Sequence, residues 1–345
     1  MQSGLYLFSM DWKGQLKGIV VSLPTPTTDD YEVDYERFRD HVAWLVSQGL
    51  VEDRAVLMGA GGLGEGYFLT REEHEKIMEA LVEAADGKAP TMTEVFEVST
   101  KEAVRRAKMA ERIGVDFLQV NPPHYLAPVD DEAYTHYKMI NDNADVGIMV
   151  YNTPWSAMHY EIKPKLMERL TRLQNVVGVK WTSFDPVNLV NMLKQFSNRL
   201  NFIDNSGLTS LAFQLGAKGY ISMLGNIAPK AELYLLSLLE RREYGRFDEE
   251  HKRLHAWREA LSSAEEMDYQ GVGEGTITKA VFEAAGKPIG PPLPPQRRAS
   301  AEDVEKIRSL LEKNKVLETI SEDKISHRQE ERSRRSVRKR TLQPR

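Results

Sequence analysis

The sequence predicts a (β/α)8 TIM barrel with a C-terminal helical extension, and three observations predict it. Strand-like and helix-like segments alternate eight times between Gly18 and Arg241. That alternation calls for parallel strands joined by helical crossovers, and eight is the number that closes a barrel. The end of every strand delivers polar or small residues to one rim, where barrel enzymes build their sites. After Arg241 the pattern is helical only. A doubly wound open sheet is the alternative arrangement of the same alternation.

The elements follow in order. Gly18–Leu23 reads as the first strand, and Tyr35–Gln48 as a helix with Phe38, Val42, Leu45 and Val46 on its apolar face. Arg54–Met58 is the second strand, and the helix Arg71–Ala85 follows, capped by Thr70 with Glu73 three residues on. Thr91–Val95 and Lys101–Ile113 form the third pair, Asp116–Val120 and Glu132–Ile140 the fourth, Val146–Tyr151 and Lys163–Leu173 the fifth. A strand around Val176–Lys180 precedes the helix Pro186–Phe196; Asn201–Asp204 precedes Thr209–Leu215; Gly219–Met223 precedes a helix from Lys230. Beyond the barrel, Arg246–Leu261, Ile277–Ala285 and Ala301–Leu311 read as helices, and the proline-rich Lys287–Pro295 as a connector that cannot be helix. The expected organisation is a barrel over 14–235, a helical extension over 236–315 and a basic, disordered tail over 316–345.

Composition narrows the function. Of 345 residues 41% are hydrophobic and 28% charged, which fits a globular enzyme. Cysteine is absent, excluding disulfides, thiolate metal sites and a cysteine nucleophile. Met1–Leu16 has no apolar core behind a basic start, and no apolar run approaches the roughly 20 residues that span a bilayer. The expectation is a cytoplasmic protein with no membrane partner. Arg328–Arg345 carries eight basic residues and two acidic ones against a net charge of −5, so the body of the chain is acidic. That argues against a nucleic-acid partner, and the tail reads as a solvated appendage.

One residue stands out. In Gln174–Ser183 a β-branched run, Val176, Val177 and Val179, is followed by Lys180. Burying an ammonium ion is costly, so desolvation favours the neutral amine, a nucleophile toward carbonyls. The alternative is a lysine at the strand's mouth paired with a carboxylate.

Other rim positions surround it: Pro24–Pro26, the glycine loop Gly59–Gly66, Glu94, Asn121–Tyr125, Tyr151–Asn152, Asp204–Ser206 and Ser222. The loop formally matches G-x-G-x-x-G, but the next helix opens near Thr70, so no helix N-terminus faces a pyrophosphate there. Its amides are better placed to meet a small anion such as a carboxylate. No cofactor is expected. The eight histidines are scattered, and His251 and His255, one helical turn apart, read as surface residues beyond the barrel, so no metal is expected.

Four stretches resemble the dihydrodipicolinate synthase and N-acetylneuraminate lyase superfamily of class I, pyruvate-type aldolases. Gly61-Gly-Leu-Gly-Glu65 resembles its G-x-x-G-E, Tyr151-Asn-Thr-Pro154 its Y-N-x-P, and Val177-Gly-Val-Lys180 the segment bearing its Schiff-base lysine. Gly219-Tyr-Ile-Ser222 and Asn226-Ile-Ala-Pro229 resemble its eighth-strand region. The resemblance implies an imine-forming lyase, an aldolase or dehydratase acting on pyruvate or another 2-oxo acid, built as a homotetramer or homodimer. It implies Lys180 as nucleophile, Tyr151 as proton shuttle, and Gly61, Gly62, Leu63, Gly64, Tyr125, Glu94, Ser156 and Ile221 around the substrate.

Two departures bear on substrate. Where the synthases have a pair of hydroxyl residues this chain has Gly62-Leu63, so the hydroxyl link of a tyrosine–threonine–tyrosine relay is missing. Where they have an arginine for the second substrate's carboxylate this chain has Ser156. These departures point away from a true dihydrodipicolinate synthase. Leu63, Tyr67, Trp155, Met158 and Trp181 suggest a bulky, apolar aldehyde side, with Glu94 reading one polar group on it. A non-catalytic 2-oxo acid binder or regulator on the same barrel is the alternative in another class. A metal-dependent aldolase is a third, disfavoured by the scattered histidines.

Overall fold

The computed structural model describes residues 11–125, 127–183, 185–258 and 269–318, without side-chain detail for 269–272. The strands fall within a residue of where the periodicity puts them: β1 (Gly18–Ser22), β2 (Ala55–Gly59), β3 (Thr91–Val95), β4 (Phe117–Val120), β5 (Gly147–Asn152), β6 (Val176–Trp181), β7 (Asn201–Asp204) and β8 (Gly219–Ser222). Each pairs in parallel with the next, and β8 returns to β1 with Gly18 opposite Gly219, closing the barrel. The open-sheet alternative is thereby excluded.

Strand side chains alternate between two environments. Those pointing in form a plug of Leu16, Val20, Val56, Met58, Met92, Phe117, Met149, Val177 and Ile203, with Ile221 partly buried above it. Leu16 enters from a short helix, α1 (Trp12–Gln15), below the barrel. There Asn201 Nδ2 donates to the backbone oxygens of Lys13 and Leu16 at 2.6 and 2.9 Å. Those pointing out pack under the helices α2 (Tyr35–Ser47), α3 (Arg71–Ala85), α4 (Thr100–Ile113), α5 (Asp130–Asn141), α6 (Pro164–Leu170), α7 (Pro186–Phe196), α8 (Thr209–Gln214) and α9 (Pro229–Glu240). Thr70 and Glu73 cap α3 reciprocally, at 3.2 and 2.7 Å, as their spacing predicts. Among the described residues no helix is long and apolar enough to cross a membrane.

Past the barrel lie α10 (Tyr244–Leu254), α11 (Tyr269–Ala284) and α12 (Ala301–Lys313). Two expectations need correction here. His251 and His255 are half-buried rather than surface residues: their rings stack at 4.0 Å, and His251 lies 5.2 Å from Phe247. Helix α11 begins eight residues before Ile277, because Gly271, Gly273 and Gly275 conceal its first turns from a propensity reading. The helix is interrupted at Gly273, whose φ of 76° is left-handed and favours glycine. The proline-rich stretch is non-helical and runs beside the end of β1, where Thr27 N donates to Ile289 O at 2.9 Å. The expected helix over Arg246–Leu261 extends past residue 258 and the basic tail past residue 318; those parts lie outside the described residues.

Candidate active site

Strand β6 carries Lys180 inward at the C-terminal mouth of the barrel, 7% exposed. Its register partner on β5 is Tyr151. Adjacent strands in register point the two side chains the same way, and the ammonium nitrogen sits 3.9 Å from the centre of the phenol ring. Burial pushes the lysine pKa below its ordinary value; Glu94 and Glu274 oppose that shift. Trp155 meets Tyr151 in an edge-to-face contact, ring centres 5.8 Å apart.

Glu94 ends β3 inside the same mouth, and desolvation raises its pKa against Lys180, Gln119, Gly62 and Asn121, which favour the ionised form. Its neighbours are thus a lysine, two amides and the Gly62 backbone rather than an arginine. Gln119 on β4 is fully buried, and among the described residues neither its Nε2 nor its Oε1 has a partner within hydrogen-bond geometry; Asn121 Oδ1 is in the same position. Both amides lie close enough to Glu94 to favour its ionised form. Buried polar groups left without partners are costly, so they mark where a ligand's polar atoms belong.

A second carboxylate comes from the far end of the chain. The glycine loop makes a single 3-10 turn over Gly62–Gly64. Thr25 holds that turn by donating to Gly64 O at 2.5 Å. Below it, Glu65 is fully buried and pairs with Lys279 of α11 at 2.9 Å. Glu65 Oε1 also accepts from Leu293 N at 2.6 Å and Gln296 Nε2 at 2.8 Å. Gly275 packs so closely on Glu65 that a β-carbon there would strike the carboxylate. This clamp brings Glu274 over Gly62, where a β-carbon would collide with the Glu274 carboxylate. Burial raises the Glu274 pKa to about 7, lowered by Lys180 and raised further by Glu94. The Tyr67 hydroxyl lies beside the same carboxylates; burial first, then Glu274, Glu65 and Glu94, push its pKa upward.

The remaining expected positions divide. Ile221 faces the barrel interior at the mouth. The Ser156 hydroxyl is engaged in its own turn, 3.0 Å from Thr153 Oγ1. Tyr125 is 77% exposed, apart from the lysine cluster, and lines a surface cleft with Val98 and His124. Trp181 is not a pocket residue: it is fully buried outside the barrel, 6.2 Å from Phe202, because it follows Lys180 and points to the opposite face. Several rim groups hold loops instead of facing the mouth. Asn152 Nδ2 donates to Thr182 O at 2.6 Å, Asp204 accepts from Thr209 Oγ1 at 2.7 Å, and Ser222 Oγ accepts from Gly225 N at 2.9 Å. Glu274 and Gln119 were not singled out from the sequence. A lone glutamate between glycines, Gly273-Glu-Gly275, and a glutamine in the apolar run Phe117–Val120 were the available signals.

A buried lysine facing a tyrosine at the mouth of a (β/α)8 barrel is the arrangement of class I lyases, which work through an imine, and the protein is an enzyme of that class. A sequence model of the Dihydrodipicolinate synthetase family matches residues 15–313, and the chain belongs to that family. It is 34% identical over 233 residues to a 4-hydroxy-tetrahydrodipicolinate synthase of Rhodopseudomonas palustris, covering 66% of this chain and 75% of the relative. The structure of the dihydrodipicolinate synthase of Thermotoga maritima superposes with a TM-score of 0.77 at 26% identity, over 88% of this chain and 100% of that one. A monomeric dihydrodipicolinate synthase variant superposes with a TM-score of 0.79 at 26% identity, over 89% and 100%.

Proposed function

We propose that the protein forms an imine between Lys180 and pyruvate or another 2-oxo acid, and that it is not a 4-hydroxy-tetrahydrodipicolinate synthase. The observation that carries this reading is the charge of the mouth: one lysine between Glu94 and Glu274, with Ser156 where the synthases have arginine. A second substrate bearing its own carboxylate would approach two acids, with a serine at the position of the synthases' arginine. In this reading Lys180 attacks the ketone carbon, Tyr151 shuttles protons to the oxygen that leaves, and the 61–64 loop with Gln119 takes the substrate carboxylate.

The aldehyde side is bulky and largely apolar. Tyr67 and Trp155 support that, being 44% and 48% exposed at the rim. Self-association belongs to the same proposal, as a homodimer or homotetramer. It is supported by Val98, Tyr125 and Val129, all more than half exposed along one part of the surface. Light scattering at the monomer mass would contradict it.

The deciding assay offers the synthase's substrates and a panel of aromatic and sugar-derived 2-oxo acids to the same preparation. Turnover of aromatic 2-oxo acids without formation of 4-hydroxy-tetrahydrodipicolinate is the expected result. Formation of that product at a rate typical of enzymes, roughly 1 per second or more, would overturn the reading.

A further inference from the structure

We propose that Glu274 is the acid–base residue that removes and returns the C3 proton of the imine, working in space that Gly62 leaves open. The proposal rests on the imine-forming reading above. The space exists because residue 62 has no side chain: a β-carbon there would collide with Glu274 Oε2. The carboxylate reaches it because α11 breaks at Gly273 and is clamped two residues later, where Gly275 lies on the buried Glu65–Lys279 pair. The glycine that removes a hydroxyl from the expected relay thus admits a carboxyl in its place.

Glu94 is less suited to this task. Lys180, Gln119, the Gly62 backbone and Asn121 all favour its ionised form, so it acts as the lysine's counter-ion. The charged and titratable groups facing Glu274 are Lys180 from β6, Glu94 from β3 and the Tyr67 hydroxyl from the loop after β2, with Glu65 and Lys279 beneath Gly275. Among them Glu274 titrates near neutrality, at about 7, where a group both gives and takes protons efficiently.

The steps balance as follows. The neutral Lys180 amine forms a bond to C2 of the 2-oxo acid; the C=O π pair moves to oxygen, which takes the Tyr151 hydroxyl proton. The phenolate recovers a proton from the nitrogen, leaving a neutral carbinolamine, and returns it to the hydroxyl, which departs as water while the nitrogen pair forms the iminium. The Glu274 carboxylate then removes a C3 proton; the C–H pair becomes the C2=C3 bond, and the C=N π pair returns to nitrogen as an enamine. Proton exchange with solvent, one released by Glu274 and one taken up by Tyr151, restores both groups.

Exchange of the pyruvate methyl protons for deuterium reads the last step with pyruvate alone. It is measured by proton NMR beside borohydride trapping at Lys180, in the wild type, Glu274→Gln, Gly62→Ala and Glu274→Asp. Exchange should fall about a hundredfold or more in Glu274→Gln and Gly62→Ala, and the limb of the pH profile near neutrality should vanish in Glu274→Gln. Lys180 should still be trapped in Glu274→Gln, and Glu274→Asp should recover part of the rate with a displaced limb. Exchange within about threefold of wild type, or a loss of rate with the limb intact, would overturn the role of Glu274 while leaving the imine reading standing. Failure to trap pyruvate at Lys180 in the wild type would overturn both. If Glu274→Gln does not fold, the position of the limb in Glu274→Asp decides.

Discussion

Tyr151 and Lys180 are register partners across β5 and β6, and the ammonium nitrogen stands 3.9 Å from the centre of the phenol ring. The phenol therefore does two things: its face stabilises the charged lysine, and its hydroxyl is carried into the same mouth. Tyr151→Phe separates them. The ring contact survives, so stability should fall by no more than about 1.5 kcal/mol, while imine formation should slow about a hundredfold. The checks are a thermal melt and the rate of borohydride-dependent incorporation of pyruvate. An unchanged rate would remove the proton-shuttle role.

Glu94 holds the lysine's charge. Its carboxylate raises the Lys180 pKa against burial. Glu94→Gln removes that support while keeping the shape, so the lysine pKa falls further and more of the amine is neutral at a given pH. The midpoint of the pH profile for imine formation should move to lower pH. A midpoint that stays or rises would show that Glu94 does not act on Lys180 electrostatically.

Glu232 on α9 provides a stability test away from the mouth. It is fully buried, its carboxylate oxygens have no partner within hydrogen-bond geometry among the described residues, and Tyr220 and Ser222 lie close enough to favour ionisation. Burial raises its pKa from 4.5 to about 7. The unfolded chain releases this proton first, so the contribution to stability is complete below pH 4.5 and is lost as pH rises toward about 7. Glu232→Gln should leave stability little changed at pH 4.5 and raise it at pH 8 by on the order of 2–3 kcal/mol. Denaturant unfolding at the two pH values measures the difference; equal effects at both would refute the linkage.

Two tryptophans near the site should behave oppositely. Trp181 is fully buried against Phe202, so Trp181→Ala should cost about 3–5 kcal/mol of stability. Trp155 is 48% exposed on the loop beside Tyr151, so Trp155→Ala should cost under about 1 kcal/mol and raise KM for an aromatic substrate. Equal melting temperatures for the two variants would contradict this division.

The barrel was legible because its strands and helices each impose a period, and eight strand-and-helix repeats leave few alternatives. Lys180 was legible because a lysine in a β-branched run conflicts with its surroundings. The same alternation that turns Lys180 inward turns Trp181 outward, so strand periodicity held the information that a list of large side chains near the motif did not. Glu274 was hidden for two reasons. Its glycine neighbours read as loop, and its role depends on a contact with Gly62 that no local pattern encodes. Asn152 and Asp204 looked like site groups because polarity alone cannot separate a side chain that meets a ligand from one that ties its own loop.

The most direct measurement is reduction with borohydride in the presence of pyruvate, followed by peptide mass analysis. A stable mass increase on the peptide carrying Lys180, absent without pyruvate and absent in Lys180→Ala, is the predicted result. No adduct on that peptide, or one that persists in Lys180→Ala, would contradict the assignment of Lys180 as the imine-forming residue.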